Sequence, residues 1–109
     1  MHLTESNFDD VVLTSNEIWF IEFTASWCNF CVQFKPKYEA CAKELGSKAR
    51  FGMIDADKNR GLAKKFNVQK IPTILYYGYG YGKTHSNINK YTGKKSIEGL
   101  IAQANELLY

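Results

Sequence analysis

The spacing of apolar and polar residues changes several times along the chain. Ile18-Trp19-Phe20-Ile21-Glu22-Phe23 is a nearly unbroken apolar, β-prone run, the pattern of a central strand buried on both faces. Glu22 is its one anomaly. From Cys28 to about Gly46 the period lengthens: Cys31, Phe34, Tyr38, Cys41, Ala42 and Leu45 recur at three- and four-residue spacing, one face of a helix. Gly46 suits its C-terminal stop, and Pro36 inside it removes a backbone donor and predicts a kink. Phe51–Asp55 predicts a second buried strand, and Ile71–Tyr77, entered through Pro72, a third. Asp57-Lys58-Asn59 can start a helix reaching Phe66, and Asn89–Tyr91 reads as a short edge strand. Ser6 or Asn7 can cap a short helix through Val12, and Ser96 a final amphipathic helix through Leu108.

The predicted order is helix, strand, helix, strand, helix, strand, strand, helix. Early alternation implies parallel strand pairs and the late hairpin an antiparallel one. The fold class is α/β, with a mixed central β-sheet flanked by helices on both faces. The 109 residues suit one domain, read as residues 1–109 without an internal linker or repeat.

Composition narrows the function. The formal charge of +3 is small and scattered, which argues against nucleic acid, and no apolar run approaches the ~18 residues of a membrane span. The N-terminus lacks a basic segment followed by an apolar stretch, so it reads either as cytosolic or as a domain behind an added Met. Gly78-Tyr79-Gly80-Tyr81-Gly82 is unusual, but its few basic neighbours favour a plain hairpin loop over a stacking surface. Three cysteines are too few for a disulfide framework.

Two of them, Cys28 and Cys31, stand where a strand ends and a helix begins. Unpaired N–H groups and the positive dipole end of a first helical turn stabilise a thiolate. Cys28 is therefore the expected nucleophile, and Cys31, one turn in, the buried resolving thiol. A two-residue gap brings the sulfurs within bridging reach. Half of a zinc site is the competing reading, but His2, His85 and Cys41 show no ligand spacing, so no metal is expected. Cys41 lies on the apolar helix face and reads as a small buried hydrophobe.

Phe23-Thr24-Ala25-Ser26-Trp27-Cys28-Asn29-Phe30-Cys31, with Pro36 downstream and Ile71-Pro72-Thr73 later, resembles the thioredoxin superfamily. Further stretches, among them Pro36-Lys37-Tyr38-Glu39, Ile54-Asp55-Ala56-Asp57-Lys58 and Tyr91-Thr92-Gly93, make the sequence most similar to a catalytic thioredoxin-like domain of the protein disulfide isomerase family. The resemblance implies the thioredoxin fold and thiol–disulfide exchange with cysteine-containing protein or peptide substrates. It needs no cofactor beyond the redox-active Cys28–Cys31 pair. It further implies a cis Pro72 beside the sulfurs, Trp27 and Ile71 in substrate contact, and Glu22 as a buried carboxylate with a raised pKa, exchanging a proton with Cys31 through a water. A redox partner such as glutathione or an oxidase of the endoplasmic reticulum, a monomeric state and a place in the reticulum lumen also follow, as one module excised from a longer chain. A cytosolic thioredoxin-type reductase and a peptide-binding chaperone module are the rival readings. The first is opposed by Glu22, where thioredoxins usually carry Asp.

Four positions depart from the family pattern. Asn29-Phe30 replaces the usual Gly-His between the cysteines, Met53 stands where many members carry Lys near the buried carboxylate, and Lys95 matches the Arg that follows the Tyr-x-Gly turn. Met53 takes a cationic neighbour from Glu22, and Lys95 differs from Arg in geometry and hydration. Phe30 cannot supply the positive charge with which a histidine favours the reduced thiolate. The Cys28–Cys31 disulfide is therefore expected to be less oxidising than the ~−180 mV of the isomerase, as equilibration against glutathione would measure; a value at that figure contradicts the argument.

Overall fold

The computed structural model describes residues 1–108. Four strands, β1 (Trp19–Thr24), β2 (Arg50–Asp55), β3 (Thr73–Tyr77) and β4 (Asn89–Lys90), form one sheet in the order β2-β1-β3-β4. β1 runs parallel to β2, with Glu22 opposite Met53 and Thr24 opposite Asp55. It runs antiparallel to β3, with Glu22 opposite Ile74 and Phe23 opposite Thr73. The parallel pair is joined by α1 (Asn29–Leu45) and a 3₁₀ turn at Gly46–Lys48. The short α2 (Arg60–Lys65) precedes β3, and α3 (Ile97–Leu108) closes the described chain. This is the mixed sheet that the hydrophobic pattern predicts, in the arrangement of the thioredoxin fold.

Alternation along β1 divides the core in two. Phe20, Met53 and Ile74 pack with Phe34, Tyr38, Cys41 and Leu45 of α1 and with Leu100 and Ala104 of α3. Trp19, Ile21 and Phe23 point the other way, onto Leu3, Phe8, Val12 and Leu62. Both faces of β1 are thus covered, which is why its sequence carries no polar alternation. Tyr38 donates to the Gly52 carbonyl at 2.8 Å, tying α1 to β2.

Several element ends differ from the sequence expectation. The N-terminal helical turn is Asp9–Leu13, wound in π fashion, and neither Ser6 nor Asn7 caps it. Asn7 Oδ1 accepts instead from the Thr4 N–H, closing a local turn. β3 begins at Thr73, after Pro72, and α2 begins at Arg60. Ser96 caps α3 as expected, its Oγ accepting from the Gly99 N–H at 3.0 Å. His85, which has no partner at motif spacing, meets Asp9 at 2.7 Å and lies against the rings of Phe8 and Phe66. Residues 1–3 also bond the outer edge of β2, the Leu3 N–H to the Met53 carbonyl at 2.8 Å, and so cover that edge. The Tyr-Gly segment is the expected hairpin loop; Tyr79 and Tyr81 are exposed, while Lys83 turns inward to the Ser15 and Gly80 carbonyls.

Asn59 links the N-terminal segment to the loop after β2. Its Oδ1 accepts from the Glu5 N–H and its Nδ2 donates to the Asp55 carbonyl, each at 3.0 Å, with the residue buried. Asn59→Ala is expected to lower unfolding free energy by about 1–3 kcal/mol, measured by urea denaturation, because both backbone partners lose their bonds.

Candidate active site

The register sets three chain segments at one edge of the sheet. The C-terminal ends of β1 and β2 lie side by side, and the N-terminal end of antiparallel β3 meets them. The chain leaving β1 turns through Ala25–Trp27 and enters α1, so Cys28 occupies the N-cap with an extended backbone (φ −87°, ψ 105°). Ile71 and Pro72 arrive at the same edge just before β3, and their peptide bond is cis, as the resemblance implies.

Cys28 and Cys31 are joined as a disulfide with Cα atoms 5.2 Å apart. Cys28 Sγ accepts from the Cys31 N–H at 3.2 Å, so a first-turn donor is already aimed at the outer sulfur. Cys28 is 8% exposed and Cys31 2%, so Cys28 is the less buried residue of the pair. In the reduced state the same N–H and the helix dipole favour negative charge on Cys28 over Cys31.

Trp27 stands out from the surface, its indole N–H donating to Asp57 Oδ2 at 2.7 Å. Asp57 is a site-adjacent residue that the linear sequence does not reveal as such, because thirty positions separate it from Trp27. Phe30 is half exposed and stacks on buried Phe34 with centroids 5.8 Å apart. Asn29 is exposed at the first helical position. A cleft of about 660 Å³ opens on the Cys31 side, lined in part by Ala25, Val32, Lys35, Met53 and Lys58.

Glu22 is fully buried on the α1 side of the sheet, between Met53 and Ile74, and neither carboxylate oxygen has a protein hydrogen-bond partner among the described residues. Desolvation raises its pKa from 4.5 to about 7, and the positive charge of Lys95 partly opposes the rise. Lys95, half-buried in the turn before α3, is therefore the cation within electrostatic reach of Glu22, while Met53 supplies none. Burial and the Glu22 charge in turn push the Tyr38 hydroxyl well upward. Cys41 is fully buried, its thiol raised to about 11 chiefly by desolvation. No cluster of three or more metal-ligating side chains occurs among the described residues.

A mixed sheet with a Cys-x-x-Cys pair at the start of its longest helix and a cis-proline at the same edge defines a thioredoxin-fold domain with a redox-capable cysteine pair. The sequence pattern of the thioredoxin family matches residues 1–106, and the chain belongs to that family. It is 36% identical over 106 residues to a protein disulfide-isomerase A6 homolog of Drosophila melanogaster and 37% identical over 105 residues to one of Caenorhabditis elegans. These alignments take in 97% and 96% of this chain but 24% and 23% of the relatives, so the chain spans about a quarter of their length. Among solved structures, the J-Trx1 fragment of ERdj5 is 27% identical with a TM-score of 0.83, over 97% of this chain and 48% of that one. Chloroplastic thioredoxin z superposes with a TM-score of 0.85 over 98% and 92% of the two chains at 19% identity, a likeness of fold.

The raised pKa of Glu22 has a stability consequence with a definite sign. The folded state holds this proton more tightly than the unfolded chain, so the Glu22 contribution to stability is fully present below pH 4.5 and is lost as pH rises through about 7. A shift of that size corresponds to on the order of 3 kcal/mol. Glu22→Gln is expected to exceed the wild type in stability at pH 8 by up to that amount, with the difference closing below about pH 4.5. Urea melts at pH 4, 6 and 8 measure it; parallel behaviour of the two proteins would show that Glu22 titrates normally.

Proposed function

We propose that the chain is one catalytic domain of a protein disulfide isomerase-type thiol–disulfide oxidoreductase acting on cysteines of protein substrates. The observation that carries this reading is the Cys28–Cys31 pair at the α1 N-terminus, with Cys28 the less buried residue and its sulfur receiving a backbone N–H. The isomerase relatives support the finer assignment and a place in the endoplasmic reticulum lumen.

In the reducing direction, the Cys28 thiolate attacks one sulfur of a substrate disulfide. A Cys28–substrate bond forms, and the other substrate sulfur leaves as a thiolate that takes up a proton. Cys31 then gives its proton to ionised Glu22 and attacks Cys28 Sγ. The Cys28–Cys31 bond forms and the second substrate sulfur departs as a thiolate that takes up a proton in turn, while the proton held by Glu22 passes on to solvent; two electrons have passed to the substrate, and its two thiols draw their protons from solvent. The oxidising direction is the reverse. A carboxyl with a pKa of about 7 suits this exchange, since both of its states are populated near neutral pH. Lys95 moderates that pKa, and Trp27, Ile71 and Pro72 receive the substrate chain beside Cys28.

Insulin reduction tests the assignment. Cys28→Ser is expected to abolish turnover, and Cys31→Ser to stop at mixed disulfides whose partners mass spectrometry can identify. Equal turnover by wild type and Cys28→Ser would leave only peptide binding. Recycling by an oxidase of the endoplasmic reticulum rather than by thioredoxin reductase is the outcome expected for the proposed compartment.

A further inference from the structure

Among the described residues, six large apolar side chains are exposed, and three of them flank or divide the cysteine pair: Trp27 directly before it, Phe30 within it and Val32 directly after it. Single exposed apolar residues are ordinary, but a cluster around a reaction centre is not. Residues 26–34 carry no charged side chain; the charges near the pair come from other positions, Asp57 at the Trp27 nitrogen and Lys35 and Lys58 in the cleft on the Cys31 side.

Two of these surfaces are held in place before any substrate arrives. The Trp27 indole is fixed by its bond to Asp57, and the Phe30 ring rests on Phe34, which is itself buried in the core under α1. Phe30 nonetheless leaves half its surface in water. An aromatic ring that is anchored at its base and open at its top gains contact area on binding with little ordering cost.

We infer that Phe30 is a specificity-determining residue: it selects substrates that carry an apolar or aromatic side chain next to the reacting cysteine. The occupant follows from the bond that must form. A substrate sulfur has to come within about 2.05 Å of Cys28 Sγ. The residues beside that substrate cysteine, each about 3.3–3.6 Å further along an extended chain, then fall on the side chains around Cys28. Phe30, two positions on, offers an apolar surface there, where a charged side chain would find no counter-ion in residues 26–34. The inference rests on the proposed thiol–disulfide exchange.

The experiment uses reduced protein and a pair of disulfide-linked model peptides that differ only in the residue preceding the cysteine, Phe or Ser. Both peptides are matched in redox potential, so the potential of the protein cancels from the ratio of their kcat/KM values. Wild type is expected to favour the Phe peptide by about tenfold, through KM. Phe30→Ser is expected to bring the ratio near one, with Phe30→Leu between; thermal melts establish that each variant is folded. A wild-type ratio of one, or a ratio that Phe30→Ser leaves unchanged, overturns the inference while exchange itself stands. Failure of wild type to reduce either peptide overturns the exchange reading and the inference with it.

Discussion

β1 is hydrogen-bonded on both edges and covered on both faces, and the remaining structure is arranged around that constraint. A strand in this position favours side chains that tolerate complete loss of water, which explains the apolar run Trp19–Phe23 that Glu22 alone interrupts. It also fixes where the chain can become chemically useful. The β1 C-terminus emerges at a covered sheet's rim, and the next regular element is α1, whose first turn carries unpaired donors. Cysteines placed at that passage lie at the border of the core, both buried, with Cys28 the less so.

Glu22 tests the same constraint. Its charged form is removed from bulk solvent, has no protein hydrogen bond among the described residues, and lies between Met53 and Ile74 in the sheet. The cheaper solution in such a place is to bind a proton, and the carboxyl does so up to about pH 7. A residue that weakens the fold at high pH is therefore also one that changes protonation near neutrality. Lys95 offsets part of the desolvation from outside the sheet, on the turn where Tyr91 Oη donates to the Lys94 carbonyl. The positive charge missing at Met53 thus has a counterpart on a half-buried turn rather than within β2.

The legible part of this fold was whatever repeats at short range. The β1 run, the Cys31–Leu45 helical face and the Ser96 cap each depend on neighbours within a few residues, and each lies within a residue or two of its expected place. The cysteine pair was legible for the same reason, since three positions of separation at a helix start imply both its proximity and its polarity. What remained hidden depends on contacts distant in sequence. Asp57 under Trp27, His85 on Asp9, Asn59 on Glu5, and residues 1–3 on the β2 edge span from thirty to seventy-six positions at each contact. The misplaced N-terminal cap has a local cause: Asn7 can satisfy Thr4 or cap a helix, and both lie within reach of the same oxygen.

Phe30 joins the electrostatic and the surface sides of this site. Where a histidine would place a cation beside Cys28 Sγ, a phenyl ring supports no charge, so reduced Cys28 keeps the backbone N–H and helix dipole as its stabilisers. The ring must also go somewhere, and Phe34 beneath it takes one face while the other meets solvent. Removal of a charge and gain of an exposed ring are thus a single change with two physical effects. One acts on the stability of the reduced form and is the same for every substrate. The other acts on contact and differs between substrates, so a comparison of peptides at fixed potential separates them, whereas a potential measured alone reports only the first.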